Sequence, residues 1–295
     1  MLEPPQIYRL SWPGYDMELG RRTRIMGVVN VTPDSFSDGG KFLSQDAAVA
    51  QGLKLAADGA DIIDIGGEST RPFSDRVSTA EEIERVVPVI EKLADQLTIP
   101  ISIDTMKAEV ARQAIAAGAS MINDVSALRF DPDMGGVASK FGTPVVLMHM
   151  LGSPKTMQES PAYENLIDDI SDFLKDAIER AQKQGISRSK LIIDPGIGFG
   201  KTVSHNLLLI RNLHAFAALD VPILIGPSRK TFIRKLLKDE QKDDIAPDLP
   251  IVETGTQAAV AAAVLYGAHI VRVHDAANTR ATIRILDAVR FAQDN

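Results

Sequence analysis

Four short stretches carry residue types suited to gripping a small polar molecule: ISIDT (101–105), MINDVS (121–126), LIIDPGIGFGK (191–201) and GPSRK (226–230). In the first three, an apolar run ends on Asp104, Asn123 or Asp194. The two acceptor oxygens of a carboxylate match the adjacent N–H donors of a flat heterocycle, and an amide both gives and accepts. The glycines of GIGFGK lie two apart. That spacing fits neither the dinucleotide fingerprint nor the GxxxxGK[ST] phosphate loop. Asp194 at the head of the loop would also repel a phosphate. Glycines there allow close backbone approach to a planar ligand, so the loop predicts a heterocycle, with any anion bound elsewhere.

For that anion the candidates are Arg71, Arg272 and His274, beside Asn30 and the long polar segment NVTPDSFSDGG (30–40). An arginine fork fits phosphate or carboxylate oxygens. The segment is Gly-ended and long for a βα connection, as an active-site lid would be. Oxygen ligands such as Asn30 and Asp38 suit Mg2+, which keeps its waters and binds through substrate phosphates. No zinc spacing occurs. His149, His205 and His214 look unrelated to one another, the last two reading as surface or helix-packing residues.

The elements that must position these groups follow from the apolar pattern. Val- and Ile-rich runs occur at 24–31, 61–66, 101–105, 121–126, 144–150, 191–196, 221–226 and 269–274, and helical periodicity fills the gaps, most clearly from Tyr163 to Ala181. Ser78 with Glu81 matches a capping box, and Thr105 is expected to open the next helix at Met106. Helices end at the glycines of AADGAD, AAGAS and LYGAH. The pattern βα, repeated eight times with strands buried on both faces, predicts an α/β fold of the (β/α)8 TIM-barrel class in a single domain. An open doubly wound sheet is the alternative. Residues 1–20 read as an N-terminal leader packing on the barrel, and 21–295 as the barrel itself. The charged stretch KDEQKDDIAPD (238–248) reads as an exposed insertion.

In such a barrel the strands' C-terminal ends build the site. The polar residues collect there: Asn30, then Glu68, Thr70 and Arg71, then Asp104, Asn123, Asp124, His149, Asp194, Ser228, Arg229, Lys230, Arg272 and His274. Any one of them alone reads as a helix cap or a surface ion pair. Eight strand ends behaving alike do not.

Composition narrows the class. The chain has 295 residues, a net charge of −7, no cysteine, 45% hydrophobic and 24% charged residues. These are ordinary globular values, and the acidic balance argues against nucleic-acid or anionic-membrane partners. Without cysteine there is neither disulfide nor thiolate chemistry. The N-terminal MLEPPQIYRL lacks a signal peptide's basic start and apolar core, and no apolar run is long enough to span a bilayer. A cytoplasmic protein is expected.

NVTPDSFSDGG, DIGGESTRP, ISIDT, MINDVSA, MHMLGSPKTMQ, DPGIGFGK, GPSRK and RVHD, in this order across nearly the whole chain, closely resemble the dihydropteroate synthase family. The resemblance implies a TIM barrel, usually a homodimer. It would condense 6-hydroxymethyl-7,8-dihydropterin diphosphate with 4-aminobenzoate, giving 7,8-dihydropteroate and pyrophosphate for folate synthesis, and would be a sulfonamide target. It further implies that Asp104, Asn123, Asp194 and Lys230 hold the pterin, with Met148, Phe199 and Gly226 as walls. Asn30, Arg71, Arg272 and His274 would hold the diphosphate, Asn30 would ligate Mg2+, and Thr70, Pro72 and Ser228 would frame the aminobenzoate. Two departures are Phe73, where glycine is common, and Ile197, where Phe is common; the first bears on the aminobenzoate pocket. The rival enzyme class is a methyltetrahydrofolate-dependent methyltransferase, which would share the ring-binding aspartates but have no need of Asn30, Arg71 or Lys230. A non-catalytic pterin-binding paralogue, and a Schiff-base role for Lys230, are weaker readings.

Overall fold

The computed structural model describes residues 6–31, 41–69, 77–152, 157, 161–239, 241 and 243–292, with backbone alone at 41–44. Its elements run β1 (Tyr8–Trp12), β2 (Tyr15–Leu19), β3 (Arg24–Asn30), α1 (Lys41–Ala57), β4 (Ile62–Gly66), α2 (Thr79–Ala94), β5 (Ile101–Asp104), α3 (Ala108–Ala116), β6 (Met121–Asp124) and α4 (Met134–Phe141). There follow β7 (Val145–Met148), α5 (Leu166–Lys183), β8 (Leu191–Asp194), α6 (Val203–Arg211), β9 (Leu224–Ile225), α7 (Thr231–Leu237), α8 (Pro250–Leu265), β10 (Ile270–Val273) and α9 (Ala276–Arg290).

β3 to β10 form one parallel sheet in the order β8-β7-β6-β5-β4-β3-β10-β9. Its two ends meet: Ile193 N–H donates to the Pro222 carbonyl at 3.0 Å, and Ile193 bridges Ile223 in parallel. That closure rules out the open-sheet alternative and makes the eight predicted strands a barrel. Their outward residues, among them Ile63, Ile65, Ile103, Leu147 and Val271, pack with the helices in one continuous core. In α5 the buried residues Ile170, Leu174, Ala177, Ile178 and Ala181 form the inner stripe of the predicted amphipathic helix. Burial of such a stripe, more than propensity, holds a helix in place.

The helix ends follow local chemistry, with one correction. Ser78 accepts from Glu81 N–H, as the sequence suggests. Thr105 does not cap α3; the helix begins at Ala108, and Thr105 Oγ1 accepts instead from Lys107 N–H. The Ala108 N–H is satisfied by Asp131 Oδ2 at 2.7 Å, a partner supplied from the next βα unit. Gly118 turns the chain out of α3 with φ +114°, and a Cβ there would lie 2.5 Å from the Ala94 Cβ. Only glycine fits that approach.

Within the leader, β1 and β2 form an antiparallel hairpin. Leu10, Trp12, Met17 and Leu19 alternate inward and pack against Met26, Ile62, Met121, Val146, Ile192, Leu224 and Ile270, which fill the lumen at the strands' N-terminal ends. The other end of the lumen is polar.

Candidate active site

Strand parity does most of the positioning. Met26, Ile62, Met121, Val146, Ile192, Leu224 and Ile270 point into the lumen, and side chains two residues further on share that face. The rule carries Asp64, Asn123, Met148, Asp194, Gly226 and Arg272 inward one layer higher, with Asn30, Gly66 and His274 above. Asp104 joins them, since it is in register with Gly66 on one side and Asn123 on the other. Asn30 is in register with Gly66. The predicted heterocycle residues and part of the predicted anion set therefore share one mouth of the barrel.

Arg272 departs from the expected division. Its Nε donates to Asp64 Oδ2 at 2.6 Å and its Nη2 to Asp104 Oδ2 at 2.7 Å. Asn123 Nδ2 donates to the same Asp64 oxygen at 3.0 Å. The guanidinium thus sits among the carboxylates of the heterocycle group rather than apart from them with His274. The cause is Asp64, which is completely buried and needs a countercharge, because an isolated charge inside a protein is strongly destabilising. Asp64 is absent from the sequence-based site. The signal that finds it is alternation: in DIIDIG it shares a face with Ile62 and Gly66, not with the outward Ile63 and Ile65. Its second oxygen, Oδ1, is buried with no hydrogen-bond partner among the described residues.

Asp194 is satisfied differently. Its Oδ1 accepts from Gly196 N–H at 2.7 Å, within the glycine loop that it heads. Gly196 adopts φ +74°, and a Cβ there would lie 1.9 Å from the His149 carbonyl oxygen, so this turn admits no side chain. Burial raises the Asp194 carboxyl to about 6, against the pull of Gly196 N–H, Lys230, Lys201 and Arg272. Burial likewise raises Asp104, with Arg272 opposing it.

Apolar walls complete the mouth. Met148 and Phe199 pack with Val125, Met150 and Met157. Lys230 lies with Nζ 4.1 Å from the centre of the Phe199 ring, a separation at which a cation is attracted to the ring's π face. Ser228 Oγ and His274 Nδ1 are 3.0 Å apart, and His274 N–H reaches the same hydroxyl at 3.3 Å. Between Ser228 and Lys230, Arg229 takes φ +58°, uncommon for a residue with a side chain, and is held by its N–H to Thr256 Oγ1 at 3.1 Å. Gly226 lies against the Arg272 side chain.

Other residues flagged at strand ends serve the scaffold. Asp124 accepts from Ser126 N–H, Ser126 Oγ and Leu128 N–H, fixing its own loop. Glu68 pairs with Lys107. His205 makes a reciprocal cap with Thr202 at the start of α6, and His214 lies beside Tyr266. Ile197, the second departure, is a core residue with 2% exposure. Thr70, Arg71, Pro72, Phe73 and Asp38 lie outside the described residues, as does most of the expected lid. His149, expected at the end of its strand, is buried against Lys201 of the glycine loop.

For Mg2+, Asn30 offers a half-buried amide at the rim. No group of three or more His, Cys, Asp or Glu side chains among the described residues is arranged to hold a metal. The donor set fits an ion that arrives with substrate phosphates and keeps its waters, not a resident ion in a closed cage.

A family model described as pterin binding enzyme matches residues 26–274. The chain belongs to the dihydropteroate synthase family. A dihydropteroate synthase of Synechocystis is 45% identical over 92% of this chain and 91% of its own. The Xanthomonas albilineans dihydropteroate synthase solved with 4-aminobenzoic acid superimposes with a TM-score of 0.89 at 44% identity, covering 98% of this chain and all of its own. The same enzyme in complex with 7,8-dihydropteroate gives a TM-score of 0.85 at 42% identity, covering 97% and 100%. No described helix is long and apolar enough to cross a membrane.

Proposed function

We propose that this barrel mouth carries out the reaction for which its family is named, joining 6-hydroxymethyl-7,8-dihydropterin diphosphate to 4-aminobenzoate with release of pyrophosphate. The observation that carries the reading is the convergence of Asp64, Asp104, Asn123 and Arg272 in one hydrogen-bonded cluster, in a lumen also lined by Asp194, Met148 and Phe199. Carboxylates and an amide suit the edge of a flat ring rich in N–H donors. The apolar walls and the Lys230–Phe199 pair would cover its faces.

The chemistry follows from charge. The amine of 4-aminobenzoate is a weak nucleophile, so acceleration must come mainly from helping the diphosphate depart. Donors that meet the developing negative charge supply that help; the family resemblance gives this role to His274 and Arg71, and Ser228 holds the His274 ring. Arg272 lies among the carboxylates of the heterocycle group and balances their charge while the ring is bound. As the leaving group separates, the methylene carbon becomes positive, and the charges of Asp194 and Asp104 would stabilise it. Mg2+, held by Asn30 and the diphosphate oxygens, would supply charge neutralisation at the leaving group. Thr70, Pro72 and Ser228 would frame the aminobenzoate, and a sulfonamide would compete there.

Two further properties belong to this reading. The chain acts in the cytoplasm. It does so as a homodimer through the apolar groove on α6, α7 and α8, where Leu207, Leu236 and Leu237 are exposed and Phe232 and Ile233 form the floor; light scattering checks the subunit count. The deciding experiment is incubation with both substrates and Mg2+ while pyrophosphate is measured. Release should require all three components, and a folded protein that releases none would overturn the reading.

A further inference from the structure

The lysine that closes LIIDPGIGFGK has no part in the reaction described above, yet it is among the most buried cations of the chain. Lys201 is 4% exposed. Its ammonium contacts His149 Nδ1 at 2.9 Å and donates to the Phe199 carbonyl at 2.9 Å. His149 is 4% exposed and lies edge-on to Phe173 at 4.7 Å between ring centres. Burial and the charges of Lys201 and Arg129 drive the His149 ring to about 2, so it stays neutral and its Nδ1 accepts from the ammonium. Burial lowers Lys201 itself to about 7, with Asp194 pulling the other way.

A buried ammonium between a neutral imidazole and a carbonyl has hydrogen bonds but no countercharge among those two partners. Such a position is strongly unfavourable unless an anion stands near. Asp194, seven residues earlier in the same loop, is the carboxylate that it senses. The loop is already well fastened without it: Asp194 Oδ1 holds Gly196 N–H, Asn206 Oδ1 holds Gly198 N–H at 2.8 Å, and Tyr163 hydroxyl holds the Gly200 carbonyl at 2.8 Å. A neutral donor would serve as well for one more tie. The charge needs its own explanation.

We propose that Lys201 is a positioning residue for the pterin site, which ties the Phe199 carbonyl to His149, so setting the ring that Lys230 covers, and holds Asp194 as a carboxylate. The proposal rests on the reading of this mouth as a pterin site and deepens it. The groups that set the Asp194 charge are Lys201 and Gly196 N–H on its own loop, Lys230 from the turn after β9, and Arg272 from β10. Those facing Lys201 are Asp194 and Lys230, with His149, just after β7, as its hydrogen-bond acceptor. His205, at the start of α6, senses the Lys201 charge in turn. Removing the Lys201 charge leaves two side-chain cations opposing the burial of Asp194, so its proton is lost at higher pH.

The test is the binding of 6-hydroxymethylpterin, followed by its fluorescence between pH 5.5 and 8.5, for the wild-type protein and Lys201→Met. The pH at which binding fades should rise by about half a unit or more in the variant, so that below pH 6 it binds the pterin about threefold or more weakly than the wild-type protein, while the KM for 4-aminobenzoate stays within about twofold. An unchanged pH midpoint in a folded Lys201→Met protein overturns the proposal. If that variant does not fold, Lys201→Gln keeps a donor for the Phe199 carbonyl but no charge, and the same upward shift is required of it. Pyrophosphate release by the wild-type protein is read separately. A wild-type protein that binds the pterin but releases no pyrophosphate refutes the proposed reaction while the midpoint comparison still decides Lys201; one that binds no pterin overturns both.

Discussion

The two ends of this barrel are built from the same eight strands and differ in every physical respect. At the N-terminal end the lumen is closed by hydrocarbon: a hairpin lays Leu10, Trp12, Met17 and Leu19 on a layer of strand residues with no charged member. At the C-terminal end the next layer holds Asp64, Asp194 and Arg272, all largely buried, and Asn123. Burying those charges opposes folding unless each is paired, whereas burying the hairpin's apolar face favours it by roughly 25 cal/mol per Å2. One end supplies stability so that the other can hold groups that folding alone would not favour.

Changes at each end should therefore be separable. The largest expected effect is on stability: Trp12→Ala should cost about 3–5 kcal/mol, as for other buried large aromatic side chains, measured by urea unfolding. The KM of the folded fraction for either substrate should stay unchanged; a shifted KM would mean that the two ends are coupled.

At the polar end, Asp194→Ala should lower kcat/KM for the pterin substrate at least about a hundredfold, since two charge-assisted contacts are worth about 1.5–3 kcal/mol each. A loss of less than about tenfold in steady-state assays would detach Asp194 from the ring. Arg272→Ala should reduce turnover by at least about tenfold, from loss of one such contact. It also leaves Asp64 and Asp104 facing each other, so the melting temperature should fall as well; an unchanged rate would contradict the assignment.

The smallest effect needs no mutation. Asp194 titrates at about 6 because burial disfavours its charge. Its working form is the carboxylate, which predominates above that value and is lost as pH falls through it. With Asp104, raised by burial to about 7, needed in the same form, the rate profile of kcat/KM should accordingly decline as pH falls through about 7 to 6 and decline further below. A profile flat down to pH 5 would show that the charge of Asp194 is not used.

Much of this was legible from residues in order. The eight apolar runs are the eight strands because a parallel sheet buried on both faces requires continuous Val- and Ile-rich segments. Asn30, Asp104, Asn123 and Asp194 lie at one rim because each ends such a run, and Arg272 joins them from within the last one. Other assignments needed the third dimension. Thr105 reads locally as a helix cap, but the Ala108 N–H is met by Asp131, 23 residues away. His149 reads as an isolated histidine until the loop after β8 brings Lys201 against it, and Arg272 reads as an anion ligand until Asp64 is seen across the lumen.

By itself the sequence determined which residues face inward and which outward, since alternation along a strand is a property of the backbone and needs no partner. It also determined the helix-ending glycines and the glycine loop beside Asp194, each a matter of a few adjacent dihedrals. Tertiary structure alone decided which charges pair. Arg272 meets Asp64 past one intervening strand and Asp104 past two, and Lys201 meets His149 from beyond the neighbouring strand, because closing and curving the sheet brings together side chains that chain distance leaves far apart. Low polarizability inside the barrel then makes those pairings obligatory.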